Sequence, residues 1–196
     1  MARIVVSEFL TLDGVYQGPG GPEEDTSGSF DKGGWATELD DGQDNDSSVV
    51  LDSFEHTDGL LLGRRTYDIF AKFWPNVPPD EPYGKFMNRF RKYIVSTTLT
   101  EPLSWANSTL ISRDVAAAVQ KLRDEPGGDI QVIGSGELVQ TLIANDLVDS
   151  YRLMVYPVVL GTGKKLFRDG AEANLRLVDS YATKAGTLIL TFEPRR

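Results

Sequence analysis

Apolar positions along the chain recur with two different periods, and the switches between them mark out the elements. Residues 3–12 alternate, which predicts a first strand with Ile4, Val6 and Phe9 in the core, ending in the Asp13-Gly14 turn. A helix is predicted from the N-cap residue Asp46 to about His56, with Val50 and Phe54 on one face. Asp58-Gly59 then turns the chain into the strand Leu60-Leu61-Leu62-Gly63, and Arg64-Arg65-Thr66-Tyr67 opens a second helix. After the proline-rich stretch 74–82, residues 86–92 read as a short helical piece. Residues 93–97 and 108–112 read as strands. Val115, Ala118, Val119 and Leu122 form the apolar face of a helix that starts near Asp114 and stops at Pro126-Gly127-Gly128.

The β-branched run Ile130, Val132, Ile133 ends in Gly134-Ser135-Gly136. Beyond it, Leu138 with Leu142 and Val139 with Ile143 pair at i, i+4, so the pattern is strand, glycine turn, helix. Residues 149–160, 175–183 and 187–193 are β-type runs, and Pro157 predicts an edge or a bulge in the first of them. Strands joined through helices predict a parallel sheet, and the terminal strands predict an antiparallel edge. The expected architecture is an α/β fold in three α/β/α layers around a mixed, mostly parallel sheet. With no internal repeat and no linker, residues 1–196 read as a single domain.

Residues 17–46 fit neither period and are rich in Gly, Pro, Ser and acids, which suggests a functional loop. The aromatic residues Tyr16, Phe30 and Trp35 point to a loop packed over a pocket. Glu38, Asp40, Asp41, Asp44 and Asp46 lack the spacing of a calcium loop, so a solvated acidic loop is expected and no metal site.

Composition narrows the choice of partner. Lys and Arg number 20 against 29 Asp and Glu, a formal charge of −9, which disfavours nucleic acid. No apolar run approaches the roughly 18 residues of a membrane span, and the start shows no signal-peptide pattern. Cysteine is absent, and a cytoplasmic location is expected. The one histidine, His56, reads as a surface or helix-end residue, so any hard chemistry is expected to belong to a bound cofactor.

Gly134-Ser135-Gly136 offers bare backbone to an anion at a helix start. A Rossmann fingerprint would put a third glycine at position 139, which is Val139, and an acid about twenty residues on, where 153–156 carry none. Arg64 and Arg65 lie at the positive end of a helix macrodipole, a conflict that an anionic ligand removes; solvent or a nearby acid would also answer it. If the strands ending at Gly63, Thr97 and Gly134 run parallel, their ends open on one side and suit an extended polyphosphate such as a dinucleotide.

These motifs, with Thr11-Leu12-Asp13-Gly14-Val15, Gly33-Gly34-Trp35, Val95-Ser96-Thr97-Thr98-Leu99 and Pro157-Val158-Val159-Leu160-Gly161, occur in an order that covers nearly the whole chain. The set resembles the dihydrofolate reductase-like superfamily, in the branch similar to the C-terminal reductase domain of bifunctional riboflavin-biosynthesis proteins. The resemblance implies a dihydrofolate reductase-like fold, NADPH as hydride donor, a small-molecule substrate and a homodimer. It places Gly63, Arg64, Arg65 and Thr66 at the adenosine-side phosphates and Ser96 and Thr97 beside the adenine ribose. Gly134, Ser135, Gly136, Glu137 and Leu138 would cradle the pyrophosphate. Asp13 and Gly14 would lie near nicotinamide or substrate, with Trp35 in a mobile wall of the substrate pocket. Many relatives carry an arginine where Thr97 stands, so a preference for NADPH would rest on Arg64 and Arg65. Asp46 and Asp52, the acids of the first helix, read as an N-cap and an exposed residue, not as a pterin ligand. The leading expectation is an NADPH-dependent reductase of a heterocyclic or carbonyl substrate, such as the ribosylaminopyrimidine of riboflavin synthesis. A pterin reductase and a nucleotide- or flavin-binding module without turnover are the alternatives.

Overall fold

The computed structural model describes residues 1–38 and 46–195, without the side chains of 46–50. Asp40, Asp41 and Asp44 of the expected acidic loop, and the side chains of Asp46 and Val50, lie outside the described residues. The strands are β1 (Arg3–Thr11), β2 (Thr57–Gly63), β3 (Arg91–Val95), β4 (Ser108–Ile111), β5 (Asp129–Ile133), β6 (Ser150–Tyr156), β7 (Leu175–Ala182) and β8 (Leu188–Pro194). The helices are α1 (Asp46–Glu55), α2 (Arg64–Phe73), α3 (Pro82–Arg89), α4 (Val115–Asp124) and α5 (Gly136–Ala144). The strands make one mixed sheet in the order β4-β3-β2-β5-β1-β6-β8-β7, mostly parallel with antiparallel C-terminal strands, as the period changes predict. No helix among the described residues is long and apolar enough to cross a membrane. The chain divides into two compact units, Met1–Val5 with Ser48–Val148 and Val6–Ser47 with Asp149–Arg196.

In the first unit β2 is flanked by β3 and β5, both parallel to it, and β3 is parallel to β4. An interior parallel strand is covered on both faces, which is why Leu60, Leu61 and Leu62 follow one another without alternation and are all fully buried. Phe54, Tyr67, Met87, Phe90, Ile94 and Trp105 pack with Leu60 and Leu62 in one core. Helix α3 starts earlier than the apolar period suggests. Pro82 occupies its first turn, where a missing N–H costs nothing, and the Glu81 carboxylate caps it by accepting from the N–H groups of Tyr83 and Gly84.

Beyond α3 the strand residue Lys92 is fully buried. Its Nζ donates to the carbonyls of Phe90 at 2.8 Å, Ala106 at 3.1 Å and Asn88 at 3.3 Å, and stands 4.3 Å from the centre of the Trp105 ring. Two of those carbonyls belong to the end of α3, so the ammonium satisfies acceptors that the helix cannot. Lys92 has no ion pair among the described residues, and burial pushes it down to about 8.

In the second unit β6 and β8 are antiparallel, from Tyr151↔Phe192 to Val155↔Leu188, and β7 pairs antiparallel with β8 across a bulge between Leu177 and Asp179. Pro157 marks neither an edge nor a bulge. It follows the last residue of β6, a strand paired with β8, and terminates the ladder where no further N–H is needed. Phe9, expected in the core, is half-buried, whereas Ser7 and Glu8 beside it are buried. Strand β1 is buried on both faces from Ile4 to Glu8, so its burial does not alternate.

Candidate functional site

Because β2, β3 and β5 are parallel, their carboxyl ends share one edge of the first unit, and each runs into a turn bearing candidate residues. Gly63 ends β2 and precedes α2, and its N–H donates to Ser135 Oγ at 2.9 Å. Thr66 Oγ1 accepts from both Ser135 N and Ser135 Oγ, each at 3.0 Å. Gly134 has a left-handed φ of +60°, and a Cβ there would lie 2.9 Å from Thr66 Oγ1. Ser135 is left-handed as well, at +62°, a conformation uncommon for a residue with a Cβ; three hydrogen bonds hold it there. The two hydroxyls thus weld the Gly-Ser-Gly turn to the start of α2.

Gly136 and Leu138 are buried and Glu137 is exposed. The first bond inside α5 runs from Val139 N to Ser135 O at 3.0 Å, so helix geometry leaves the first-turn N–H groups facing out of the helix start. Glu137 in that turn complements the macrodipole.

Helix α2 has no acid in its first turn. The exposed Arg64 donates from Nη1 to Thr98 Oγ1 at 2.6 Å and pairs with Asp68 one turn on, at 3.4 Å. Arg65 is exposed and has no ion pair among the described residues. At the end of β3, Ser96 is buried and its Oγ accepts from Thr98 N and Leu99 N, both at 3.1 Å. Thr97 between them is exposed. Sequence reasoning does not single out Thr98. No local pattern marks it, because the turn made by Ser96 bonds the backbone N–H at position 98 and asks for no particular side chain there.

The second unit holds Asp13, Gly14 and Trp35. The Asp13 carboxylate accepts from Thr11 Oγ1 at 2.6 Å, Leu160 N at 3.2 Å and Gly161 N at 2.8 Å. The Thr11 hydroxyl foremost, with those amides, holds it down at about 2 against the opposing effect of burial. A carboxyl so held stays ionised at neutral pH and has no proton to give; its geometry ties the Gly14 turn to residues 160–161. Its contribution to stability is present above the ordinary value of 3.8 and is lost as pH falls through about 2. Asp13→Asn is therefore expected to melt lower than the native chain near pH 7, with the gap closing toward pH 2, as thermal melts of both proteins across that range would read. Equal melting at pH 7 would show that the turn does not depend on the charge.

Trp35 is buried, its Nε1 donates to Gln17 O at 2.8 Å, and its ring meets Tyr156 edge-on at 5.5 Å. Gln17, unmarked in the sequence, is the hub of this segment. Its Nε2 donates to Asp25 O at 3.0 Å and Ser27 O at 2.9 Å, and its Oε1 accepts from Lys164 N at 3.1 Å. Lys164 Nζ adds bonds to Asp25 Oδ2 at 2.5 Å and Ser27 Oγ at 2.6 Å. Burial pushes the Asp25 carboxyl up, but Lys164 and Ser27 outweigh it and hold it below the usual range.

Residues 2–189 match the sequence profile of the RibD C-terminal domain. An uncharacterised Bacillus subtilis protein, YyaP, is 30% identical over 194 residues, spanning 97% of this chain and 94% of its own. The fold is similar to that of a Shewanella sp. PV-4 protein assigned provisionally to riboflavin biosynthesis, with a TM-score of 0.74, 22% identity and full coverage of both chains. It is also similar to a dihydrofolate reductase from Enterococcus faecalis complexed with NADP(H), with a TM-score of 0.61 and 12% identity over 99% of this chain and 97% of that one.

Proposed function

The chain belongs to the RibD C-terminal domain family, and from that premise we propose that it is an NADPH-dependent reductase of a small heterocyclic or carbonyl substrate. The observation that carries the reading is the pair of arginines at an acid-free helix start, set beside the glycine turn that Ser135 and Thr66 weld in place. The donor set fits a dinucleotide: guanidinium groups suit phosphate oxygens bidentately, and helix-start N–H groups suit a pyrophosphate. Bound there, NADPH supplies the hydride. Arg64 and Arg65 would hold the adenosine-side phosphates, the start of α5 at Gly136 to Leu138 the pyrophosphate, and Ser96 and Thr97 the ribose side. In the second unit Asp13 would fix the Gly14 turn, and Trp35 would wall the substrate pocket that the family resemblance implies. The proton then comes from water or from a carboxyl other than Asp13. The ribosylaminopyrimidine of riboflavin synthesis is the first substrate to test and dihydrofolate the second; the family resemblance also carries the expectation of a homodimer.

NADPH at about a hundred times its Kd is expected to stabilise the protein by roughly 2.7 kcal/mol, seen as a raised melting temperature. Absorbance at the nicotinamide band should fall when a pyrimidine or pterin substrate is added. Arg64→Ala with Arg65→Ala should abolish the melting shift. No shift with NADPH or NADH would overturn the reading, and binding without oxidation across such substrates would favour a non-catalytic nucleotide-binding module.

A further inference from the structure

We infer that Thr98 is a specificity-determining residue: it positions the Arg64 guanidinium for a phosphate monoester on the adenosine side of the ligand. The inference rests on the dinucleotide reading above. Position 97 offers no cation whereas α2 begins with two, but an exposed arginine is a poor discriminator unless its guanidinium is held. Arginine on an open surface has many rotamers, whose entropy a phosphate would have to overcome on binding.

Here the side chain is fixed from two sides. Nε faces Asp68 at 3.4 Å and Nη1 donates to Thr98 Oγ1 at 2.6 Å. Only the Thr98 contact is a hydrogen bond; Asp68 stands at ion-pair distance, so four of the five N–H donors remain for a ligand. Thr98 is itself held, because its N–H donates to the buried Ser96 Oγ at 3.1 Å and its Oγ1 stands 3.3 Å from the same atom. Ser96 N in turn donates to Ile111 O at 3.1 Å, which anchors the turn to the end of β4. An oxygen that accepts from Arg64 keeps its own proton, so the Thr98 hydroxyl donates either to Ser96 or to a phosphate oxygen beside the guanidinium. The arrangement is a pre-oriented cation with a hydroxyl next to it. Arg65, without an ion pair among the described residues, adds a second charge that is free to follow the ligand.

The test compares the full chain with Thr98→Val, which keeps the shape and removes the hydroxyl, and with Thr98→Ser, which restores it. Adenosine 2′,5′-bisphosphate is the probe and adenosine 5′-monophosphate the control, titrated by calorimetry, with melting curves to confirm the fold. Thr98→Val should bind the bisphosphate about tenfold more weakly with the monophosphate unchanged, and Thr98→Ser should match the native chain. In turnover the same variant should raise KM for NADPH with kcat, and KM for NADH, unchanged. Equal bisphosphate affinity in the Val variant, or equal losses for both nucleotides, would overturn the inference. Bisphosphate binding that needs the hydroxyl, in a chain that oxidises no NADPH, would uphold the positioning role and sink the reductase reading. A native chain that binds neither bisphosphate nor NADPH would overturn both.

Discussion

Gly134→Ala is expected to destabilise the chain by about 3 kcal/mol, a drop in Tm on the order of 10 °C at this size, and to weaken anion binding with it. Two effects add. Alanine at φ +60° costs roughly 1–2 kcal/mol in backbone strain, and its Cβ would sit 2.9 Å from Thr66 Oγ1, the acceptor of both Ser135 bonds. Relief requires Thr66 to rotate, which breaks the weld between the turn and α2. Gly14→Ala separates the two terms: φ there is +81°, but nothing lies within 4 Å of an added Cβ, so only the strain remains. Thermal melts of the two variants should differ by the steric part. If Gly134→Ala proves as mild as Gly14→Ala, the weld is loose and the cradle does not depend on it.

The second large effect is a pH slope. Lys92 is held down at about 8 in the folded chain against an ordinary 10.5. Between those values the unfolded chain binds the proton and the folded chain does not, so stability rises with pH through that window. The full rise is about 3 kcal/mol, at roughly 1.4 kcal/mol per pH unit. Below about pH 8 the ammonium is charged in both states and the burial cost is present in full. Lys92→Met removes that cost but leaves the Phe90 and Ala106 carbonyls without a donor, at about 1–3 kcal/mol each, so the two terms nearly offset near neutrality. The decisive quantity is therefore the slope. Urea unfolding of the native chain and of the Lys92→Met variant, at about pH 7 and about pH 10.5, should show the native chain gaining about 3 kcal/mol relative to the variant, because groups common to both cancel. A difference independent of pH would mean that Lys92 titrates normally and that its cage admits water.

What can be read in the sequence is whatever local chemistry enforces. Three consecutive leucines before a glycine read as a strand running into a turn, and two arginines after it are conspicuous against a macrodipole of the same sign. The turn at 134–136 is legible for the same reason, since the residue types meet the backbone's needs within a few positions. The failures share a different cause. Pro82 looks like loop because a helix start and a turn make the same local demand of proline. Phe9 is expected in the core with Ile4 and Val6 on residue type, yet a period of two puts it on the opposite face of β1, where it is only half-buried. Thr98 and Gln17 escape because their partners are distant along the chain: Thr98 meets Arg64 34 positions away and Gln17 meets Lys164 147 positions away. No window of sequence holds both members of such a pair.

The Gln17 hub has a consequence for energetics. Residues 17–38 contain little regular structure, a composition that ordinarily leaves a segment to be ordered only when something binds. Here the side chain of one glutamine, one lysine's charge and a tethered indole fix the segment from within the second unit. Its entropy of ordering, about 1–2 kcal/mol for each residue's backbone, is thus met when the chain folds. A ligand that touches this surface meets hydrogen bonds already made, and its affinity need not fund the ordering of residues 17–38.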